Sequence, residues 1–168
     1  MPWHNDRESY RLPGWDYSEP GIYFVTICTK YRMHDFGHVR NGKMILSKMG
    51  MIVNDHWRKI PQHFPNVRLD THIIMPDHIH GILNIARDAM SRTKNTRDNF
   101  MSCISPKPGS LPTIIRSYKS TCANTIRKQC DIHFEWQQRY YDRIIFDADA
   151  LANAREYIMN NPQRWTRQ

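Results

Sequence analysis

Residues 67–85 hold two strand-like runs, VRLDTHIIM and HIHGILNI, separated only by Pro76-Asp77. The first alternates polar and apolar side chains at the period of a strand, and the second continues as a β-branched run. So short a connection suits antiparallel neighbours, because parallel strands need a long crossover. A β-sheet built on this pair is the frame into which the rest of the chain must fit.

Residues 22–29 (IYFVTICT) are rich in β-branched and aromatic types and supply another strand. A short strand is expected near Gly37-His38-Val39, with a tight turn at Asn41-Gly42. From Ser47 the period changes. Met49, Val53, Trp57, Ile60 and Phe64 recur every three to four residues, so 47–64 reads as an amphipathic helix, with Ser47 as its cap and Pro65 just past its end. Leu111, Ile114, Ile115, Tyr118, Cys122 and Ile126 mark the inner face of a second helix over 110–129. Residues 134–146 read as a loop leading into a short strand. Asp147 can cap a last helix over 148–161, closed by Asn160-Asn161-Pro162. The order predicts an α+β fold, an antiparallel sheet with helices packed on one face.

The chain of 168 residues suits a single domain, 1–168, with a polar N-terminal arm over 1–20 and a variable polar loop over 86–109. No apolar run reaches the ~18–20 residues that span a bilayer, and the N-terminus lacks the apolar stretch of a signal peptide, so a cytoplasmic protein with no membrane partner is expected. Cys28, Cys103, Cys122 and Cys130 form no C-x-x-C pair, which argues against a zinc ribbon or a thioredoxin-type site. Lys and Arg number 24 against 16 Asp and Glu, a formal charge of +8. Such a balance favours polyanionic partners, nucleic acid foremost.

His78 and His80 lie two apart on a strand, so both imidazoles point to one face and can reach one ion. Two surface histidines beside a turn would show the same spacing, but this pair opens an apolar strand, where polar residues need a reason. Tyr157 and Asn161, four apart, share a helix face. A tyrosine hydroxyl can act as a nucleophile and an amide oxygen can ligate a metal. A half-buried tyrosine and a helix-terminal asparagine would look the same. Tyr118 is a rival nucleophile, but it lies on an apolar stripe. Tyr140 and Tyr141, beside Trp136, Arg139 and Arg143, could stack on bases and hold phosphates, or pack at a sheet edge. His72 is either a neighbour of the histidine pair or solvent-facing.

Together these residues resemble a family. Met75-Pro76-Asp77-His78-Ile79-His80-Gly81 resembles the histidine–hydrophobic–histidine (HUH) signature of single-tyrosine transposases. Arg155-Glu156-Tyr157-Ile158-Met159-Asn160-Asn161-Pro162 is similar to their nucleophile helix, in the form of the REP-associated tyrosine transposases. The stretches 21–29 and 136–142 are similar too, so the resemblance covers roughly residues 10–165. It implies a ferredoxin-like core and an enzyme that cleaves and rejoins single-stranded DNA, usually hairpin-forming, through a 5′-phosphotyrosine intermediate. It implies a Mg²⁺ or Mn²⁺ ion, with homodimers common in the wider family. By position, His78, His80 and Asn161 would be metal ligands and Tyr157 the nucleophile. The third ligand varies in this branch, and 86–109 is an insertion with no assigned family role. Lys119, Arg139 and Arg143 are the expected DNA-phosphate contacts. Alternatives of other classes are a catalytically inactive nucleic-acid-binding module of the same fold, and a metal-dependent nuclease that forms no covalent intermediate.

Overall fold

The computed structural model describes Trp15, Tyr17, residues 19–87 and residues 108–165. Most of the N-terminal arm and of the 86–109 loop therefore lies outside the described residues. Among the described residues six strands and four α-helices follow in order: β1 (Gly21–Cys28), β2 (Gly37–Arg40), β3 (Lys43–Leu46), α1 (Lys48–Arg58), α2 (Ile60–His63), β4 (Val67–Ile74), β5 (His78–Ile85), α3 (Leu111–Gln129), β6 (Tyr141–Ile145) and α4 (Ala148–Arg164).

The main sheet is antiparallel, in the order β4-β5-β1-β6. Omitting the small β2–β3 ribbon, α2 and the final α4, the chain runs strand, helix, strand, strand, helix, strand, with the first strand between the third and the last. This is the ferredoxin-like arrangement. β4 and β5 pair as expected, with a bulge between Leu69 and His72.

Register assigns side chains to two faces. Tyr23, Val25 and Ile27 of β1 and Ile79, Leu83 and Ile85 of β5 meet Val53 and Trp57 of α1 and Ile114, Ile115 and Tyr118 of α3 in the main core. Gly81 lets α1 come close: a Cβ there would stand 2.2 Å from Cζ2 of the fully buried Trp57. The expectation of helices on one face holds for α1 and α3. α4 lies across the other face, where Ala154 and Ile158 pack on Phe24, Ile82 and Ile145. Arg155 anchors it, donating from Nε to Asp70 Oδ1 at 2.9 Å and from Nη2 to Oδ2 at 2.5 Å on β4.

Three boundaries differ from expectation. The Asn41-Gly42 turn joins β2 to a second short strand, β3, that the sequence reading omitted. The helix expected over 47–64 is divided at Lys59, because Pro61 has no amide hydrogen to continue the ladder. The last helix runs past Asn161 and Pro162 to Arg164, since packing of Asn161 and Pro162 in the interior outweighs the one ladder bond lost so near the end. Both caps form: Ser47 Oγ accepts from Gly50 N at 3.0 Å, and Asp147 Oδ1 accepts from Ala150 N at 2.7 Å. Among the described residues no helix is long and apolar enough to cross a membrane.

Candidate active site

β5 begins at His78, and its period places His78, His80 and Ile82 on the α4 face. Both histidines are buried, and their Nε2 atoms face each other at 3.0 Å. Each ring is held through its other nitrogen. His78 Nδ1 lies 2.5 Å from Asp77 Oδ1, and a carboxylate only accepts, so His78 donates from Nδ1 and keeps a lone pair on Nε2. His80 Nδ1 lies 2.8 Å from Thr26 Oγ1 on the paired position of β1. A hydroxyl both donates and accepts, so Thr26 satisfies either tautomer of His80.

Burial pushes both imidazoles below their ordinary pKa. Asp77 opposes this at His78, while at His80 nothing does and the shift is larger. Both rings are therefore neutral near pH 7. Burial pushes the Asp77 carboxyl up, but the hydrogen bond from His78, with Arg32 and His34, outweighs it and holds it below the usual value. Arg32 Nε meets Asp77 Oδ2 at 2.7 Å and completes the chain Arg32–Asp77–His78.

With the His80 proton on Nδ1, both Nε2 lone pairs face inward, and their separation suits a cation. With bonds of about 2.1 Å, ligands at right angles on an octahedral ion stand about 3.0 Å apart. Among the described residues no group of three His, Cys, Asp or Glu side chains could hold a metal ion, so further ligands would be an amide oxygen, water or substrate.

α4 supplies the rest. Tyr157 lies over this face, its ring 5.3 Å from that of His80 and 6.1 Å from that of Phe24. Just past the end of the helix, the Trp165 ring is 5.9 Å from His78, so α4 and its C-cap residue bracket the pair. Burial raises the Tyr157 pKa, while a hydrogen bond from Asn161 and the charges of Arg164 and Arg32 pull it back. The structure thus brings together His78, His80 and Tyr157, with Asn161 bonded to Tyr157. Tyr118 is fully buried on the opposite face, donates to Val53 O at 2.8 Å, and has a pKa well above 10 through burial.

No family model matches the chain. An uncharacterised Haemophilus influenzae protein is 37% identical over 162 residues, which cover 95% of this chain and 89% of that protein. The two belong to one family. Among solved structures, a REP-associated tyrosine transposase bound to a REP hairpin superposes with a TM-score of 0.62 at 16% identity, over 94% of this chain and 73% of that one. The chain has the tyrosine-transposase fold. A Deinococcus radiodurans R1 protein, provisionally assigned as a transposase, gives a TM-score of 0.50 at 16% identity, over 89% and 95% of the two chains.

Within this transposase fold the expected phosphate contacts are spread out. Arg143 is exposed on β6 opposite Phe24, on the α4 face. Arg139 is exposed in the loop before β6. The Lys119 ammonium, half-buried, donates to Gln137 O at 2.6 Å and Gln138 O at 3.2 Å, so it holds that loop. His72 is neither beside the histidine pair nor fully exposed. It lies on the opposite face, stacked on Trp57 and bonded to Asn54 Oδ1 at 2.9 Å. Tyr140 packs against the main core, and Tyr141 accepts from Gln137 Nε2 at 3.3 Å.

Sequence reasoning missed Asp77, Thr26, Arg32 and Trp165 as members of the site. Asp77 had a signal, a carboxylate directly before an H-x-H pair. The other three reach the histidines only through the fold.

Proposed function

We propose that this protein is a metal-dependent enzyme that cleaves and rejoins single-stranded DNA through a phosphotyrosine bond at Tyr157. The observation that carries the reading is the convergence of the His78 and His80 Nε2 atoms, 3.0 Å apart, on the sheet face covered by the Tyr157 ring. The likeness of fold to a transposase holding a hairpin favours hairpin DNA as substrate.

His78, His80 and the Asn161 amide would hold a Mg²⁺ or Mn²⁺ ion. When bound, the ion supplies charge neutralisation and Lewis-acid polarisation at the scissile phosphate. Asp77 and Thr26 keep the two rings aimed. Tyr157 Oη attacks phosphorus, forming the phosphotyrosine bond as the bond to the departing 3′ oxygen breaks. The phenolic proton is lost and the 3′ oxygen gains one, so the step is proton-neutral overall. Asn161, Arg164 and Arg32 favour the phenolate against the effect of burial. The new bond is close in energy to the one broken, so a 3′-hydroxyl can reverse the step and join strands without ATP. Arg139 and Arg143 contact backbone phosphates, and Lys119 fixes the loop that presents Arg139.

The test is incubation of the protein with Mn²⁺ and a panel of labelled single-stranded hairpin oligonucleotides, followed by a denaturing gel. A protein–DNA adduct that vanishes in Tyr157→Phe and in His78→Ala is expected. Cleavage without an adduct indicates a hydrolytic nuclease, and binding alone indicates a non-catalytic module. An adduct lost in Tyr118→Phe but kept in Tyr157→Phe overturns the choice of tyrosine.

A further inference from the structure

After β1 the chain makes a short 3-10 turn, Lys30–Arg32, in which two consecutive non-glycine residues are left-handed: Tyr31 at φ 55° and Arg32 at φ 57°. For a bulky residue this conformation is unfavourable. It sends the two side chains apart. Arg32 turns back to Asp77, while the Tyr31 ring stands 83% exposed. Facing the turn is the segment 135–138, and between them is a cleft of about 520 Å³ lined by Lys30, Tyr31, Arg32, Glu135, Trp136, Gln137 and Gln138. That volume lies within the range of small-ligand sites.

Both walls are tied in place. Lys30 N donates to Glu135 O at 3.0 Å and Gln137 N to Cys28 O at 2.9 Å. Trp136 Nε1 donates to Lys119 O at 3.0 Å, and Lys119 holds the carbonyls of 137 and 138. The cationic groups of the cleft are already engaged, Lys30 with Glu135 and Arg32 with Asp77. Glu135 also disfavours a phosphate inside. What remains is the exposed Tyr31 ring, with the Lys30 ammonium 5.2 Å from its centroid on one side, the Gln138 side-chain amide, and the Gln137 side-chain carbonyl, whose amide nitrogen is taken by Tyr141; together they still offer donors and acceptors. That set matches the faces and edges of a base better than a phosphate. The cleft is also near the histidine pair. Cys28 pairs with His78, Thr29 N bonds Asp77 O, and Arg32 both lines the cleft and bonds Asp77.

We propose that this cleft binds one unpaired nucleobase of the DNA strand, stacked on Tyr31 with its edge toward Gln137 and Gln138, from a nucleotide flanking the scissile phosphate. The inference rests on the single-stranded DNA reading above.

The test uses the full chain and a single-stranded thymidine 12-mer with 5-iododeoxyuridine at a central position, without divalent metal so that no cleavage intervenes. Binding is read by fluorescence anisotropy, and photo-crosslinks are mapped by mass spectrometry. A crosslink on Tyr31 is expected. Tyr31→Ala should weaken binding roughly 5- to 100-fold, and Tyr31→Phe, which keeps the ring, should bind as the parent does. Because Tyr31 is exposed, both variants should keep the parent's thermal midpoint. Crosslinks confined to other residues, with undiminished binding by Tyr31→Ala, overturn the cleft while leaving the DNA reading intact. Failure of the parent protein to bind single-stranded DNA, with this 12-mer and with hairpins, overturns both.

Discussion

Thr26→Val removes one hydroxyl and keeps the shape of the side chain, so it isolates the support of His80. In the folded protein Thr26 Oγ1 is the 2.8 Å partner of His80 Nδ1, at a site where both residues are buried. To bind a cation through Nε2, His80 must carry its proton on Nδ1. In the variant that N–H is buried without an acceptor, a cost of about 1–3 kcal/mol. Loss of such support to a ligating histidine costs about 10- to 100-fold in metal affinity, and about 1.4–2.7 kcal/mol is the same range in free energy. The two estimates agree. The assay is Mn²⁺ titration of the metal-free protein by electron paramagnetic resonance of the unbound ion. A dissociation constant at least tenfold weaker in Thr26→Val is expected, with the far-ultraviolet circular dichroism unchanged. Equal affinity in the two proteins would refute the reasoning that Thr26 supports the metal-binding tautomer of His80.

Three further outcomes follow from the packing and the charges. Gly81→Ala places a methyl group 2.2 Å from Trp57 Cζ2, so the buried indole must shift by more than 1 Å relative to an ordinary contact of about 3.4 Å, a cost of about 2–3 kcal/mol in urea unfolding. Ser47→Ala removes the acceptor for Gly50 N and should cost about 1 kcal/mol by the same measurement. Asp70 is held at a pKa of about 2, first by its bond to Arg155, against an ordinary 3.8. A carboxyl with a lowered folded-state pKa stabilises the fold above its unfolded pKa and loses that contribution as pH falls through the folded value. Asp70→Asn should therefore be less stable than the parent near pH 7 by about 0.5–1 kcal/mol, a figure reduced for solvent screening of a partly exposed pair. The two should converge in acid unfolding curves between about pH 4 and pH 2.

The sheet frame was legible because β-branched runs carry their own signal, and α1 and α3 because Val53, Trp57, Ile114 and Tyr118 keep a helical period. The covering of the second face was harder to read. α4 has a short apolar stripe, and its side is set by Ala154 and Ile158 meeting Phe24 and Ile82, pairs far apart in the chain. β3 was missed although the Asn41-Gly42 turn needs a second strand to pair with the first, because Lys43–Leu46 is too short to announce itself. At the site, His78 and His80 were visible through period two, and Tyr157 and Asn161 through one helical turn. That the two pairs meet was supplied by the family resemblance, not by either spacing. Thr26 is 54 residues from His80 and Arg32 is 45 from Asp77, so no local pattern could link them. His72 was misplaced because the bulge after Leu69 moves its side chain to the Trp57 face.

The central claim is that the histidine pair and Tyr157 form one catalytic unit. It is tested most directly by trapping the product. The protein is reacted with a cleavable single-stranded hairpin and Mn²⁺, digested with protease and nuclease, and its peptides are mapped by mass spectrometry. A nucleotide phosphate on Tyr157 is expected, present with Mn²⁺ and absent with chelator or in His80→Ala. A nucleotide on another tyrosine, or cleaved DNA with Tyr157 unmodified, would contradict it.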